Sequence, residues 1–212
     1  MSDAKVKFTP GRRKFIRLSL AVVGGGLALG FGSVPILRPA KDKLRPPGAV
    51  NETQFLASCI KCGQCLQVCP PQVVMLDGLQ NGFGVGTPYI VPREGACVLC
   101  AGLPCVLACP TGALDHALSE GKDAEMGLAV LSKPEICLAI KGEDCTICLD
   151  KCPIKGMGPI VFEPRKDSQG REYKEPVVQK TCVGCGVCEE KCPTSEPAIT
   201  IVPRLRWKEG AA

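Results

Sequence analysis

Aromatic side chains make up 4% of this 212-residue chain, Trp207 is its sole tryptophan and His116 its sole histidine. So few rings exclude a large aromatic core. They also exclude the stacking platforms that accompany a basic nucleic-acid-binding face. One histidine cannot supply a haem or a histidine-based metal centre. His116, beside Asp115, reads as a surface residue rather than a general base. The glycine cluster Gly24-Gly25-Gly26 lacks the strand–turn–helix setting of a phosphate-binding loop. Positive charge is scarce over most of the chain. Residues 1–48 hold ten Lys and Arg against Asp3 and Asp42, whereas the remaining residues hold sixteen against nineteen acidic ones. The overall +5 is therefore a basic N-terminal stretch attached to an acidic body. No catalytic constellation is visible, which leaves open whether the chain is an enzyme.

Sixteen cysteines are present, far above ordinary usage. They fall into four runs, each ending in Cys-Pro: Cys59, Cys62, Cys65 and Cys69 with Pro70; Cys97, Cys100, Cys105 and Cys109 with Pro110; Cys137, Cys145, Cys148 and Cys152 with Pro153; Cys182, Cys185, Cys188 and Cys192 with Pro193. The first and fourth runs share one spacing, the second widens the middle gap and the third the first gap. No cysteine is left over for another role.

Disulfides would explain neither the four Cys-Pro endings nor the two-residue gaps. Zinc knuckles need pairs, and each run offers a triplet plus a single. Cysteines at every third position, followed by one more and a proline, are the run that holds [4Fe–4S] clusters, with the fourth cysteine ligating a different cluster. All sixteen cysteines are thus candidate ligands, enough for four [4Fe–4S] clusters. Folding is expected to depend on cluster insertion. Which fourth cysteine closes which site is open between neighbouring and nested pairing of the runs. The matched spacings favour nesting: Cys59, Cys62 and Cys65 with Cys192; Cys182, Cys185 and Cys188 with Cys69; Cys97, Cys100 and Cys105 with Cys152; Cys137, Cys145 and Cys148 with Cys109. Cys137 is the least secure ligand because of its wide spacing.

Residues 1–37 read as a targeting segment. Gly11-Arg12-Arg13-Lys14-Phe15-Ile16-Arg17 and the apolar run Leu18–Val34 resemble a twin-arginine export signal. That route carries folded proteins, which suits clusters assembled before export to the periplasm. A membrane-anchoring leader helix is the alternative. Residues 38–50, with Pro46-Pro47, read as a linker. Residues 51–212 form the cysteine-rich body, an α+β arrangement of two ferredoxin-like double-[4Fe–4S] units with short elements and long loops. Strands are expected at 73–76, 89–91, 128–131, 160–162 and 199–202. Short helices are expected just after the fourth cysteines, with another near Asp123–Met126.

Arg12-Arg13, Leu44-Arg45-Pro46-Pro47-Gly48-Ala49, Cys62-Gly63-Gln64-Cys65, Gly86-Thr87-Pro88-Tyr89 and Met126-Gly127-Leu128-Ala129-Val130-Leu131, with the four runs, resemble the NapG/MauM ferredoxin-type proteins over nearly the whole chain, more closely on the NapG side. The run Cys97 to Cys109 followed by Pro110-Thr111-Gly112-Ala113 also resembles four-cluster subunits of molybdenum-dependent reductases, in which nested pairing is the rule. The resemblance implies a periplasmic iron–sulfur carrier, associated with the cytoplasmic membrane. It would work with a NapH-like polytopic membrane partner as a quinol dehydrogenase module. Electrons would pass to the periplasmic nitrate reductase through its cytochrome c components. A MauM-like role in methylamine oxidation, service to another exported oxidoreductase and a maturation role are the alternatives.

Overall fold

The computed structural model describes Ile16, Ser19, Leu20, residues 43–166 and residues 170–204. The leader and its anchor alternative lie almost wholly outside the described residues. Among the described residues no helix is long and apolar enough to cross a membrane.

Among residues 43–204 as described, the α-helices are α1 (Glu52–Ser58), α2 (Gln64–Gln67), α3 (Pro104–Leu107), α4 (Ile147–Asp150) and α5 (Val187–Glu190). The strands are β1 (Val74–Leu76), β2 (Pro88–Ile90), β3 (Gly127–Leu131), β4 (Ile160–Lys166), β5 (Glu172–Val178) and β6 (Ile199–Pro203). Among the described residues the strands form three antiparallel pairs: β1 with β2, β3 with β6 and β4 with β5. The same order therefore occurs twice: a leading strand position, a cysteine run, a hairpin, a second run and a closing strand position. In the first half Ala49 bridges Leu114 around the two runs. In the second half the full β3–β6 ladder, Gly127 opposite Pro203 to Leu131 opposite Ile199, performs the same closure.

Four of the helices are single turns, too short to stand alone in water. Each carries the third cysteine of its run: Cys65 on α2, Cys105 on α3, Cys148 on α4 and Cys188 on α5. The fourth cysteine follows the helix, so the expectation of helices after the fourth cysteines is corrected. The reason is reach: one helical turn is the link that carries the chain from the third cysteine to the fourth. Near 123–126 the helical turn is a 3-10 turn over Gly121–Asp123, and Met126 instead leads into β3. The other expected strands are present, but β5 was not anticipated.

Residues 43–50 are no spacer. Leu44 and Arg45 are buried, and Pro46 and Pro47 are among the most deeply buried side chains. Arg45 makes a bidentate pair with Glu52 at 2.6 and 3.1 Å, donates to Thr87 Oγ1 at 3.0 Å and to the Pro88 carbonyl at 2.8 Å, and lies over the Phe55 ring. Asn51 caps α1 by accepting from the Gln54 N–H at 2.9 Å. The prolines that break regular structure thus set an extended path along which Arg45 is threaded into the core. Residues 43–50, expected as linker, pack with the body, and residues 38–42 of that expected linker lie outside the described residues.

Candidate metal centre

In the first two runs and the fourth, the residue before the second cysteine is left-handed: Lys61 (φ 59°), Leu99 (φ 54°) and Gly184 (φ 71°). A second left-handed residue, Gly63, Leu103 or Gly186, opens each single-turn helix. Left-handed backbone costs a non-glycine residue about 1–2 kcal/mol. Such alternation turns successive N–H groups inward and makes an anion-binding concavity of the kind found at iron–sulfur sites. Lys61 and Leu99 adopt it where glycine would be cheaper, which marks the loops as constrained by what they surround.

Three small hollows are lined by four cysteines apiece. One holds Cys59, Cys62, Cys65 and Cys109. The next holds Cys69, Cys97, Cys100 and Cys105. The third holds Cys137, Cys145, Cys148 and Cys192. The remaining four, Cys152, Cys182, Cys185 and Cys188, crowd together: after burial, the charges of Cys152 and Cys182 help to push Cys185 up to about 12, and the same neighbours act on Cys188.

This grouping overturns the nested pairing. Cys69 closes the triplet of the second run and Cys109 that of the first; Cys152 closes the triplet of the fourth and Cys192 that of the third. Neighbouring runs exchange their fourth cysteines because a short hairpin, β1–β2 or β4–β5, folds one run back onto the next. Matched spacing misled, since the gap lengths reflect local loops rather than partnership. The wide loop of the third run is itself ordered. Lys141 N–H donates to the Cys137 carbonyl at 3.0 Å and Glu143 N–H to that of Leu138 at 2.9 Å, with Ala139 buried. Those bonds bring Cys137 to Cys145 and Cys148.

The four sets differ in burial. Within each half, the set bearing the triplet of the first or third run is the outer one; Cys62 there is exposed. The sets with the triplets of the second and fourth runs are inner: Cys97, Cys105, Cys185 and Cys188 are all buried. Burial is the largest cause that pushes Cys97 up to about 12 and Cys105 up to about 11. Burial also raises Cys65 to about 11 and Cys148 to about 12. The closing ligands of the outer sets behave oppositely. Burial alone would raise Cys109, but the amides of Leu114, Thr111 and Ala113 and the Thr111 hydroxyl together bring it below the ordinary thiol value. Burial is likewise outweighed at Cys192 by the Thr194 hydroxyl and the amides of Thr194, Ala198 and Ile199. Leu114 N–H and Ala198 N–H each stand 3.4 Å from the sulfur, and the hydroxyls of Thr111 and Thr194 lie 3.8 and 3.1 Å away. His116 is exposed, as read from the sequence, with Nε2 2.9 Å from the Cys109 carbonyl.

Four-thiol hollows lined otherwise mostly by apolar side chains, with N–H groups aimed at sulfur, are the donor chemistry of an iron–sulfur cluster. Residues 58–113, the first two runs, match the 4Fe-4S dicluster domain family. The chain is 41% identical to the methylamine utilization ferredoxin-type protein MauM of Paracoccus denitrificans, over 92% of this chain and 90% of that one. It is 40% identical to the ferredoxin-type protein NapG of Escherichia coli, over 94% of each. The chain belongs to the NapG/MauM family of ferredoxin-type proteins. Near-equal identity to both branches does not rank them. Ferredoxin-type protein NapF of Escherichia coli is a more distant relative, 29% identical over 77% of this chain. No solved structure matches. As a NapG/MauM family member the chain is an iron–sulfur electron-transfer protein. Sequence reading missed Arg45 and Arg93. Thr111 and Thr194 carry a sequence signal, since each directly follows the Cys-Pro that ends its run.

Proposed function

We propose that this chain relays electrons from membrane quinol, through a NapH-like polytopic partner, towards the cytochrome components of a periplasmic nitrate reductase. It would be exported folded by the twin-arginine route and held at the outer face of the cytoplasmic membrane. The observation that carries the cofactor part is the four-cysteine hollow, three ligands from one run and the fourth from its neighbour. Cys59, Cys62, Cys65 and Cys109 would hold one [4Fe–4S] cluster, and Cys69, Cys97, Cys100 and Cys105 a second. Cys137, Cys145, Cys148 and Cys192 would hold a third, and Cys152, Cys182, Cys185 and Cys188 a fourth. The clusters supply one-electron redox chemistry at potentials that the protein tunes. The chain's own part is to space the sets, exclude water from the inner pair and aim N–H and O–H groups at sulfur in the outer pair. The identity to MauM favours service to methylamine oxidation as a second reading.

Anaerobic purification with iron analysis tests the cofactor: about sixteen irons per chain are expected, four for each set. A colourless or zinc-loaded protein made with ample iron would overturn it. Quinol-dependent reduction of the chain in membranes that contain the NapH-like protein, lost when that protein is deleted, tests the relay. Reduction that persists in the deletion strain would reject it. Reduction dependent instead on methylamine genes would select the second reading.

A further inference from the structure

The two halves meet along a short segment, residues 92–97, laid on the fourth run. Pro92 lies where a Cβ on Gly186 would come within 2.7 Å of its side chain. Arg93 reaches across with both terminal nitrogens. One donates to the carbonyls of Glu189, Glu190 and Cys192 at 3.0, 3.3 and 2.9 Å, the other to those of Thr194 and Ser195 at 2.8 and 3.2 Å. The Ala96 N–H donates to the Glu190 carboxylate at 2.9 Å. At the next residue, the Cys97 N–H donates to the Cys185 carbonyl at 3.0 Å.

That last bond joins a ligand of one inner set directly to a ligand of the other. From Cys97 sulfur to Cys185 sulfur the path runs through two side chains, two backbones and one hydrogen bond. Within each half the sets are also adjacent, since the single-turn helices that carry the third cysteines pack on each other, α2 against α3 and α4 against α5. We propose that the halves exchange electrons at the Cys97–Cys185 contact, so that the order of centres is outer, inner, inner, outer (first, second, fourth, third run), and that Arg93 is the positioning residue that holds the contact in register. The inference rests on the cluster reading above. Each crossing oxidises one inner centre by one electron and reduces the other by one, with no bond broken and no proton moved. A guanidinium suits the role because its fixed fork of donors satisfies several carbonyls at once, including the closing carbonyls of α5.

The test uses full-length holoprotein prepared without air, reduced, and examined by EPR for spin–spin splitting. The double variant Cys62→Ala/Cys145→Ala strikes both outer centres and is expected to keep the splitting between the two that remain. Cys100→Ala/Cys188→Ala strikes both inner centres and is expected to lose it. Arg93→Met, added to the first double variant, is expected to abolish the splitting while the iron of the two inner centres is retained. Splitting between outer centres alone, its absence between inner centres, or its persistence in the iron-loaded Arg93→Met protein would each overturn the proposal. If Arg93→Met loses iron, the two cysteine double variants still decide the order. Wild-type protein without iron would sink the cluster reading itself, an outcome distinct from full iron with the wrong pattern of splitting.

Discussion

The outer and inner sets of cysteines come from the same kind of run, and burial raises thiols in both, Cys65 and Cys148 as much as Cys97 and Cys105. They part at the outer sets' closing ligands, Cys109 and Cys192, which hydrogen bonds bring below the ordinary thiol value. The inner sets are sheathed by Val183, Val187, Leu103 and Ala96, all buried. Burial disfavours added negative charge. The outer sets have one exposed cysteine, Cys62, and closing ligands that receive hydrogen bonds, which favour negative charge on sulfur. A cluster becomes more negative when reduced, so the outer centres should be the easier to reduce. The chain therefore has an uneven profile along its length, set by where apolar side chains and amides were placed around one repeated loop.

Metal, rather than packing, is what organises both kinds of set. Removal of iron is the largest break that can be made. Without it, up to sixteen thiols surround apolar hollows, and elements as short as α2 to α5 have little else to hold them. Cluster-free protein, made under iron starvation, is expected to show no cooperative unfolding transition by circular dichroism. A sharp transition like that of the holoprotein would show that packing alone suffices.

Next in size is Arg45, which belongs to the first half. Its guanidinium is buried and its bidentate partner Glu52 partly so, and it also holds Thr87 and Pro88 on the hairpin beside the first outer set. Arg45→Met leaves Glu52 without its partner and is expected to cost about 3–5 kcal/mol. Under a chelator the first run's centre should then be lost before the inner ones. Simultaneous loss of all four would mean that outer and inner sets are not separately stable.

The sites were legible in the sequence and their connectivity was not. Cys-x-x-Cys spacing and the Cys-Pro endings name the ligands because loop reach dictates them. Pairing depends on the β1–β2 and β4–β5 hairpins, and half of the second hairpin, Glu172–Val178, is charged and contains Pro176. Nothing in its composition announces a strand, since its ladder with Ile160–Lys166 is made by backbone groups and cross-strand pairs. Arg45 was hidden for a similar reason: a prolyl stretch reads as spacer until the acid that pairs with its arginine is located seven residues on.

The profile along the chain can be sharpened one hydrogen bond at a time. Thr194→Val removes a hydroxyl 3.1 Å from the Cys192 sulfur, and Thr111→Val one at 3.8 Å from that of Cys109. A hydrogen bond of about 1 kcal/mol corresponds to roughly 40 mV for one electron. Redox-titrated EPR should show an outer centre shifted down by at most an amount of that order in Thr194→Val, whose hydroxyl proton is shared with the Glu196 carbonyl, and by less in Thr111→Val, with both inner centres unmoved. Equal shifts at inner and outer centres would mean that the hydroxyls act on the whole protein and not on their own sulfur.

The smallest effect is expected on the outward face of the second hairpin. Phe162 and Pro176 of that hairpin line the hollow of the third run, whereas Arg165, half exposed, pairs with Glu163 at 2.8 Å and Glu175 at 3.0 Å on the solvent side. Exposed pairs of this kind contribute little, because water screens the attraction and the long side chains lose rotamer freedom. Arg165→Ala should therefore change stability by no more than about 0.5 kcal/mol and leave every centre's potential in place. A shift in the third run's centre would show that charge on the outer face of the hairpin reaches the sulfurs through the sheet, and that hydrogen bonds and burial at the sets do not by themselves account for the profile.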